Sequence, residues 1–255
     1  MTGKVYLVGA GPGAPDLLTL RAVEILERAD VVFHDALVHP LALALAAHAE
    51  KFAVGKRCGR HSTAQKFINK RLVDAARKHK AVVRLKGGDP MLFGRAQEEI
   101  DALRKAGVEF EVVPGVTAAL AASAEVGVSL TRRGMSRHVA FVTPRAGRGE
   151  RENDWAASVL AADTAVIYMG AGLAGEIGSA LITRGKVRTT PIVLVESASL
   201  PERRVLYGTL GDLPALALKA GDGPAVVILG EVLRAALRER AATPVEVVGA
   251  GLKRA

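Results

Sequence analysis

The sequence predicts an α/β fold built from two α/β domains, each with a mostly parallel or mixed five-stranded sheet. Short apolar runs rich in Val, Ile and Leu alternate with helical patterns, which is typical of βαβ units. The runs form two sets of five: residues 5–8, 30–33, 51–55, 81–85 and 110–114, then 138–143, 164–170, 191–196, 205–210 and 225–230. An eight-fold barrel would need more even spacing, so we expect two domains.

The order of the elements places the domain boundary. Helices are predicted over residues 17–28, 64–79 and 96–106, the first with Asp16 as its N-cap. Pro114-Gly115 ends a strand, and an Ala-rich helix then opens the second unit. We therefore predict domains 1–115 and 116–240, followed by a basic tail at 241–255. Near Thr209 the spacing tightens, which indicates a hairpin and a mixed sheet.

Composition narrows the function classes. The chain has 255 residues and a net charge of +9, which favours a polyanionic partner. Aromatic residues make up only 4%, without the aromatic and Arg interleaving that stacks unpaired bases, so no nucleic acid is expected. We expect no membrane span, no signal peptide and hence a cytoplasmic protein. A single cysteine, Cys58, and histidines without ligand spacing predict no metal site.

A first glycine turn follows the first apolar run. Gly9-x-Gly11-x-x-Ala14, with Asp35 about 20 residues on, satisfies the dinucleotide fingerprint. Pro12 and Pro15 both lack the N–H groups that would cradle a pyrophosphate. A nicotinamide-dependent oxidoreductase is therefore disfavoured but stays an alternative.

A second glycine turn, Gly87-Gly88-Asp89, follows the buried strand AVVRL. It lies beyond the carboxyl end of that strand, where open α/β sheets bind ligands. Paired glycines allow a ligand to approach the backbone, and Asp89 can accept hydrogen bonds from a ribose or an amine. Neither turn carries a P-loop lysine, so the pair suits a nucleoside with a cationic or amino group better than a triphosphate.

Three long motifs carry a family resemblance: VGAGPGAPDLLTLRA, VGKRCGRHSTAQKFINKRLVDAA and VVRLKGGDPMLFGRAQEEIDALRKAGVEFEVVPGVTAA. They resemble the tetrapyrrole (precorrin) methylase superfamily, most closely its uroporphyrinogen-III C-methyltransferase branch. The resemblance runs from Val5 to about Glu231. It implies the tetrapyrrole methylase fold, a homodimer, and S-adenosyl-L-methionine as methyl donor in a cleft between the domains.

The resemblance also implies site residues. Those carried over to donor binding are Pro12, Gly87, Gly88, Asp89, Thr117, Ala118, Met169, Ala198 and Ala225. Those carried over to the substrate and catalysis are Arg95, Glu98 and Arg133. Arg95 is the first choice for orienting the macrocycle and assisting proton loss, with Glu98 tuning it. A plain solvated i,i+3 pair is the alternative for these two residues.

The implied reaction is methylation of uroporphyrinogen III at C2 and C7, giving precorrin-2 for sirohaem or cobalamin biosynthesis. The substrate carries eight carboxylates, which gives the basic balance of the chain a specific use. Three alternatives stay open. One is a sister precorrin C-methyltransferase of the same fold; less favoured are a methylase of that fold acting on ribosomal RNA or a modified histidine, and the NAD-dependent oxidoreductase.

Several positions depart from the family pattern. Ala14 replaces an aspartate of the first turn, and Arg132 and Arg145 replace two histidines. The arginines are expected to strengthen carboxylate binding and weaken any histidine acid–base chemistry. The segment after Glu196, ESASLPERR, also differs, which leaves the role of Ala198 open.

Overall fold

The structure is a computed structural model that describes residues 2–54, 65–147 and 153–242. The chain divides into two compact units, Met1–Ala118 and Ala119–Ala255. Residues 55–64, which include most of the GRHSTAQ motif, lie outside the described residues. Residues 243–255, nearly all of the predicted basic tail, also lie outside them.

The first unit contains a five-stranded parallel sheet. Its strands are β1 (Lys4–Gly9), β2 (Val31–His34), β3 (Glu50–Ala53), β4 (Ala81–Lys86) and β5 (Phe110–Val113). Their order across the sheet is β3-β2-β4-β1-β5, and every neighbouring pair runs parallel. The parallel direction puts the carboxyl ends of all five strands at one edge.

Helices cover both faces of this sheet, as the near-continuous apolar strands require. They are α1 (Leu20–Glu27), α2 (Pro40–Ala44), α3 (Gln65–Ala76) and α4 (Ala96–Lys105). One core cluster joins α1 and α2 to one face through residues such as Ile25 and Leu85. The other joins α3 and α4 to the opposite face through residues such as Leu72 and Leu103.

The first helix begins later than predicted, so the expectation that Asp16 is its N-cap is wrong. Pro15–Leu17 forms a separate 3-10 turn, because Leu18 and Thr19 are extended. The Thr19 hydroxyl instead accepts a hydrogen bond from the Ala22 N–H at 3.1 Å. The loop between β1 and α1 is therefore longer than a dinucleotide-binding turn.

The second unit contains a five-stranded mixed sheet. Its strands are β6 (Val139–Val142), β7 (Thr164–Tyr168), β8 (Pro191–Glu196), β9 (Arg204–Thr209) and β10 (Ala225–Gly230). Their order is β6-β7-β10-β8-β9. Only β6 and β7 pair in parallel; β8 and β9 form the hairpin that the tighter spacing near Thr209 indicated.

Among the described residues, five α-helices accompany the second sheet: α5 (Ala118–Val126), α6 (Trp155–Ala161), α7 (Ala174–Thr183), α8 (Leu213–Lys219) and α9 (Arg234–Ala242). Three of them, α6, α7 and α8, share a core with the sheet that includes Val159, Ile177 and Leu213. The predicted fold class, α/β with one parallel and one mixed five-stranded sheet, is confirmed. In the described ranges, no helix is both long and apolar enough to cross a membrane.

Candidate functional site

The two glycine turns of the first unit meet at the carboxyl edge of the sheet. Gly11 and Gly88 exchange backbone hydrogen bonds: the Gly88 N–H donates to the Gly11 carbonyl at 2.7 Å, and the Gly11 N–H donates back at 3.2 Å. One residue earlier, the Ala10 N–H donates to the Lys86 carbonyl at 2.7 Å. The Ala10 bond continues the parallel β1–β4 pairing, whereas Gly11 and Gly88 form an isolated antiparallel bridge just beyond it.

Three glycines allow this close approach. A Cβ on Gly9 would lie 2.6 Å from the Gly115 backbone, and one on Gly115 would lie 2.4 Å from the Gly88 carbonyl oxygen. Gly88 itself has φ +68°, which favours glycine. The glycines of three segments, after β1, β4 and β5, therefore form one backbone-lined surface.

Asp89 clamps this surface together. Its Oδ2 accepts a hydrogen bond from the Gly115 N–H at 2.9 Å, and its Oδ1 accepts one from the Met91 N–H at 2.8 Å. The sequence predicted only a ligand-binding role for Asp89. In the structure, the carboxylate joins the second glycine turn to the segment after β5 and organises the turn that follows it.

The strand order argues against a dinucleotide site. In the dinucleotide fold β1 lies beside β2, which carries the ribose-binding acid at its end. Here β4 lies between β1 and β2. Asp35, just after β2, accepts a hydrogen bond from Arg84 Nη2 at 2.5 Å. The acid that the fingerprint assigned to a ribose is thus held in an ion pair.

Arg95 and Glu98 form a bidentate pair at the start of α4. Arg95 Nε and Nη2 donate to the two Glu98 oxygens at 2.7 and 2.9 Å. The side chains are 55% and 49% exposed, so the pair is accessible to a ligand. Both Phe93 and Arg95 have positive φ values, 53° and 55°. Such strained residues cluster at functional sites when the surroundings hold them in place.

A buried charge network under the second glycine turn was missed from the sequence. Glu99 Oε1 accepts from Arg84 Nε at 2.9 Å, and its Oε2 accepts from Lys86 Nζ at 3.1 Å. Arg84, Lys86 and Glu99 have side chains only 3%, 3% and 0% exposed. Arg84 and Lys86 occupy alternate positions of an apolar central strand, so their side chains lie on the same face. Because buried cations are nearly always paired, this pattern in the sequence indicates a buried carboxylate nearby.

The network changes the acidity of its cations. Burial lowers the pKa of Lys86, and the neighbouring Arg84 charge lowers it further, despite the opposing effects of Glu99 and Asp35. Burial also opposes the charge on Arg84, but Asp35 and Glu99 outweigh it, so the pKa of Arg84 lies above its ordinary value. The surroundings thus favour the charged form of Arg84 and disfavour the charged form of Lys86.

In the second unit, three predicted donor-binding residues lie at one edge of the mixed sheet. Met169 directly follows β7, Ala198 lies just after β8, and Ala225 begins β10. Because β10 runs antiparallel to both neighbours, its first residues pair with the last residues of β7 and β8. A hydrogen bond from the Ser197 N–H to the Pro224 carbonyl, 2.8 Å, ties two of these segments together.

Met169 has a left-handed backbone conformation, and an arginine side chain donates a hydrogen bond to its carbonyl. Its φ is 55°, and its side chain is partly exposed. Arg145 Nε donates to the Met169 carbonyl at 3.2 Å. Arg145 follows β6, whose carboxyl end lies beside that of β7. The arginine therefore supports the backbone of Met169, a contact that the sequence did not indicate.

The remaining predicted residues lie at turns. Thr117 and Ala118 are half-buried at the start of α5, where the Tyr168 hydroxyl accepts a hydrogen bond from the Ala119 N–H at 3.1 Å. Pro12 is half-buried in the first glycine turn. Arg133 is exposed at the tip of a tight turn closed by backbone bonds between Arg132 and Ser136. No group of three His, Cys, Asp or Glu able to hold a metal occurs among the residues that the structure describes.

Comparison with known proteins places the chain. The model of the tetrapyrrole (corrin/porphyrin) methylases matches residues 4–214. The chain belongs to this family. A crystal structure from Thermus thermophilus, described as uroporphyrin-III C-methyl transferase complexed with S-adenyl homocysteine, is 42% identical, with a TM-score of 0.80 over 91% of this chain and 100% of that one.

Two further proteins are also similar to this chain. The structure of a cobalt precorrin-4 methyltransferase is 30% identical, with a TM-score of 0.79 over 90% of this chain and 95% of that one. Siroheme synthase of Zymomonas mobilis is 46% identical over 90% of this chain. The alignment covers 49% of that enzyme, so this chain spans about half the length of the curated relatives it matches.

Proposed function

We propose that this chain is an S-adenosyl-L-methionine-dependent methyltransferase that methylates uroporphyrinogen III at C2 and C7 to give precorrin-2. The observation that carries the proposal is the junction of the two glycine turns, where Gly11 bonds to Gly88 and Asp89 bonds to Gly115. The similarity to a structure described as complexed with S-adenyl homocysteine supports the same class of ligand.

The glycine surface fits a donor that carries no phosphate. Its polar groups are backbone N–H and C=O groups and the single carboxylate of Asp89, and neither glycine turn carries a lysine of the P-loop kind. A Cβ on Gly88 would meet only the Thr117 Cα, at 4.0 Å, so the backbone there is open to close approach. We assign Pro12, Gly87, Gly88, Asp89, Thr117 and Ala118 to donor binding in this unit. Met169, Ala198 and Ala225 remain proposed donor residues of the second unit.

When bound, S-adenosyl-L-methionine supplies a methyl group already activated by its sulfonium. The protein is then required to bind, orient and exclude water, which accounts for much of the catalysis in an in-line transfer. Arg95 offers the geometry for orientation, since its guanidinium is held in a two-point fork by Glu98. A substrate carboxylate can replace Glu98 in that fork, because both present the same pair of oxygens. Glu98 is released on that exchange and becomes available to assist loss of the ring proton.

The basic charge of the chain suits a polycarboxylate substrate. A net charge of +9 steers an anionic macrocycle toward the protein. Arg133 lies exposed on its turn, and we assign it to a substrate carboxylate. Arg132 and Arg145 add two further cations in the second unit.

We further propose a homodimer in the cytoplasm, on the strength of the family resemblance. Sedimentation velocity at several protein concentrations checks the dimer. A species of one chain's mass, 26.7 kDa, at all concentrations would contradict it.

The second candidate function is methylation of another precorrin. The similarity to a cobalt precorrin-4 methyltransferase favours it, since that structure shares the fold over 90% of this chain. Both candidates use the same donor, so only the substrate distinguishes them.

The test is anaerobic incubation with S-adenosyl-L-methionine and freshly prepared uroporphyrinogen III, with methyl groups per macrocycle counted by mass. Two methyls are expected. If no methyl group is transferred but S-adenosylhomocysteine still binds, the substrate is another precorrin. If no methyl group is transferred and S-adenosylhomocysteine does not bind, the chain is not a methyltransferase.

The variant Arg95→Lys tests the role of Arg95, because lysine keeps the charge but cannot form the two-point fork. Arg104→Lys, at an exposed arginine near the other end of α4, is its matched control.

A further inference from the structure

Lys86 contacts both loops of the candidate site. Its carbonyl accepts the Ala10 N–H, which supports the first glycine turn. Its aliphatic stem lies against Gly94, where an added Cβ would be 3.1 Å from Lys86 Cε and 2.6 Å from the Pro90 carbonyl oxygen. Its ammonium donates to Glu99 Oε2 at 3.1 Å. One buried side chain thus connects the end of β4 with the loop 90–95 and the first turn of α4.

Glu99 fixes the other end of that connection. Its carboxylate accepts hydrogen bonds from Lys86, Arg84 and Gln65, the last at 3.2 Å from Gln65 Nε2. One residue earlier, the Glu98 carbonyl accepts a hydrogen bond from Asn69 Nδ2 at 2.9 Å. The first turn of α4 is therefore bonded to β4 on one side and to α3 on another.

The burial of this pair is not explained by stability alone. Replacing a buried ion pair by apolar side chains of similar volume is often neutral or stabilising, because burying charge is unfavourable. The strained backbone supplies another reason: the loop contains two non-glycine residues with positive φ, Phe93 and Arg95. Such conformations persist only where the surrounding structure enforces them.

We propose that the buried Lys86–Glu99 pair is a positioning device that holds the loop 90–95 in the conformation presenting Arg95 to the macrocycle. The inference rests on the proposed function. Lys86 and Glu99 are positioning residues that act through Arg95 and do not contact the substrate. Lys86 supports the first glycine turn through its backbone carbonyl, which a side-chain substitution retains, so we expect donor binding to be independent of this pair.

The test uses Lys86→Met and the charge-balanced double variant Lys86→Met/Glu99→Gln in the full chain. In both we expect kcat for uroporphyrinogen III to fall by about 100-fold, the typical effect of displacing a positioning group by an ångström. The affinity for S-adenosylhomocysteine is expected to stay unchanged. Leu103→Ala is the matched control, since Leu103 is buried on the same helix and belongs to the apolar core cluster. It is expected to lower the melting temperature and leave kcat unchanged.

Two further readouts separate positioning from simple destabilisation. In an Arg95→Lys background, Lys86→Met is expected to add little further loss of kcat, because both changes act on one group. Hydrogen–deuterium exchange, which requires no activity, is expected to show faster exchange of the amides of residues 91–95 in Lys86→Met but not in Leu103→Ala.

The proposal is overturned if the effects of Lys86→Met and Arg95→Lys on kcat multiply, or if amide exchange in residues 91–95 is unchanged. It is also overturned if kcat in Lys86→Met and in Leu103→Ala falls only in step with the melting temperature. One result would separate the two proposals: the wild-type chain transfers no methyl group, yet the amides of residues 91–95 exchange faster in Lys86→Met than in wild type. The proposed function would then fail, while the positioning of the loop by Lys86 would stand.

Discussion

Two buried glutamates, one in each unit, are neutralised in different ways. Glu99 is held by side chains: Arg84 and Lys86 are within 3.1 Å of its oxygens. Glu196, at the end of β8, is held mainly by backbone: the N–H groups of Gly221 and Gly223 donate to it at 2.9 and 2.7 Å. Its nearest cation, Arg204, lies 3.8 Å away.

The difference shows what each carboxylate does. Glu196 closes a turn, and Cβ atoms on Gly221 or Gly223 would come within 2.9 Å of its Oε1, so the turn is built tightly around it. Glu99 instead links two cations of β4 to α3 and α4 and, through Arg84, to Asp35 at the end of β2. Glu196 therefore acts as a local clamp, whereas the Glu99 network connects the elements that surround the candidate site of the first unit.

Glu99→Gln is expected to have the largest effect on stability. Without the Glu99 charge, the two buried cations Arg84 and Lys86 have only one carboxylate, Asp35, to balance them. Breaking a buried pair in this way lowers the free energy of unfolding by about 3–5 kcal/mol. Urea unfolding measures it, with the exposed Glu98→Gln as control. If Glu99→Gln lowered the free energy of unfolding no more than Glu98→Gln, Glu99 would not be needed to balance the buried charges of Arg84 and Lys86.

Glu196→Gln is expected to have a smaller effect. The glutamine side chain keeps one oxygen that can accept from the N–H of Gly221 or Gly223, but it turns an NH2 group toward the other N–H. One unsatisfied buried donor lowers the free energy of unfolding by about 1–3 kcal/mol. The same unfolding experiment measures it against Glu202→Gln, which is exposed in the loop between β8 and β9. A loss equal to that of Glu99→Gln would remove the distinction between clamp and network.

The dependence of stability on pH sharpens the comparison. The pKa of Lys86 is lower in the folded chain than its ordinary value of 10.5, so the unfolded chain binds more protons in the interval between the two values. Stability that depends on Lys86 therefore rises as the pH increases through that interval. We expect Lys86→Met to remove this rise and Glu196→Gln to keep it, as measured by thermal unfolding across alkaline pH. An unchanged pH profile in Lys86→Met would contradict the assignment.

Arg145→Ala is expected to have the smallest effect. It removes one exposed hydrogen bond to the strained Met169 carbonyl, worth about 0.5–1.5 kcal/mol at most. If Met169 lines the donor site, KM for S-adenosyl-L-methionine rises by up to about 10-fold, since 1.4 kcal/mol is a factor of ten. Arg137→Ala, an exposed arginine before β6, is the control. Equal KM values in the two variants would show that the Arg145–Met169 contact does not contribute to donor binding.

Much of the fold was predictable because each strand is a short apolar run bounded by turn residues. The start of α1 was not, since Asp16 and Thr19 are both good N-caps and only the local backbone selects Thr19. The glycine turns were recognisable from their residues. The long-range partners of Asp89 and Asp35 were not. Gly115 meets Asp89 because β4 and β5 lie on either side of β1, Arg84 meets Asp35 because β4 lies beside β2, and strand order is a long-range property.

The central claim is that the joined glycine turns form a methyl-donor site and not a dinucleotide site. Calorimetric titration of S-adenosylhomocysteine and of NAD into the chain tests it most directly, with Gly88→Ala and Gly107→Ala as matched variants. Both glycines have positive φ, 68° and 65°, but Gly107 lies away from the site, in the turn between α4 and β5. We expect wild type and Gly107→Ala to bind S-adenosylhomocysteine and not NAD, and Gly88→Ala to bind it weakly. Binding of NAD, or undiminished S-adenosylhomocysteine binding by Gly88→Ala, would contradict the claim.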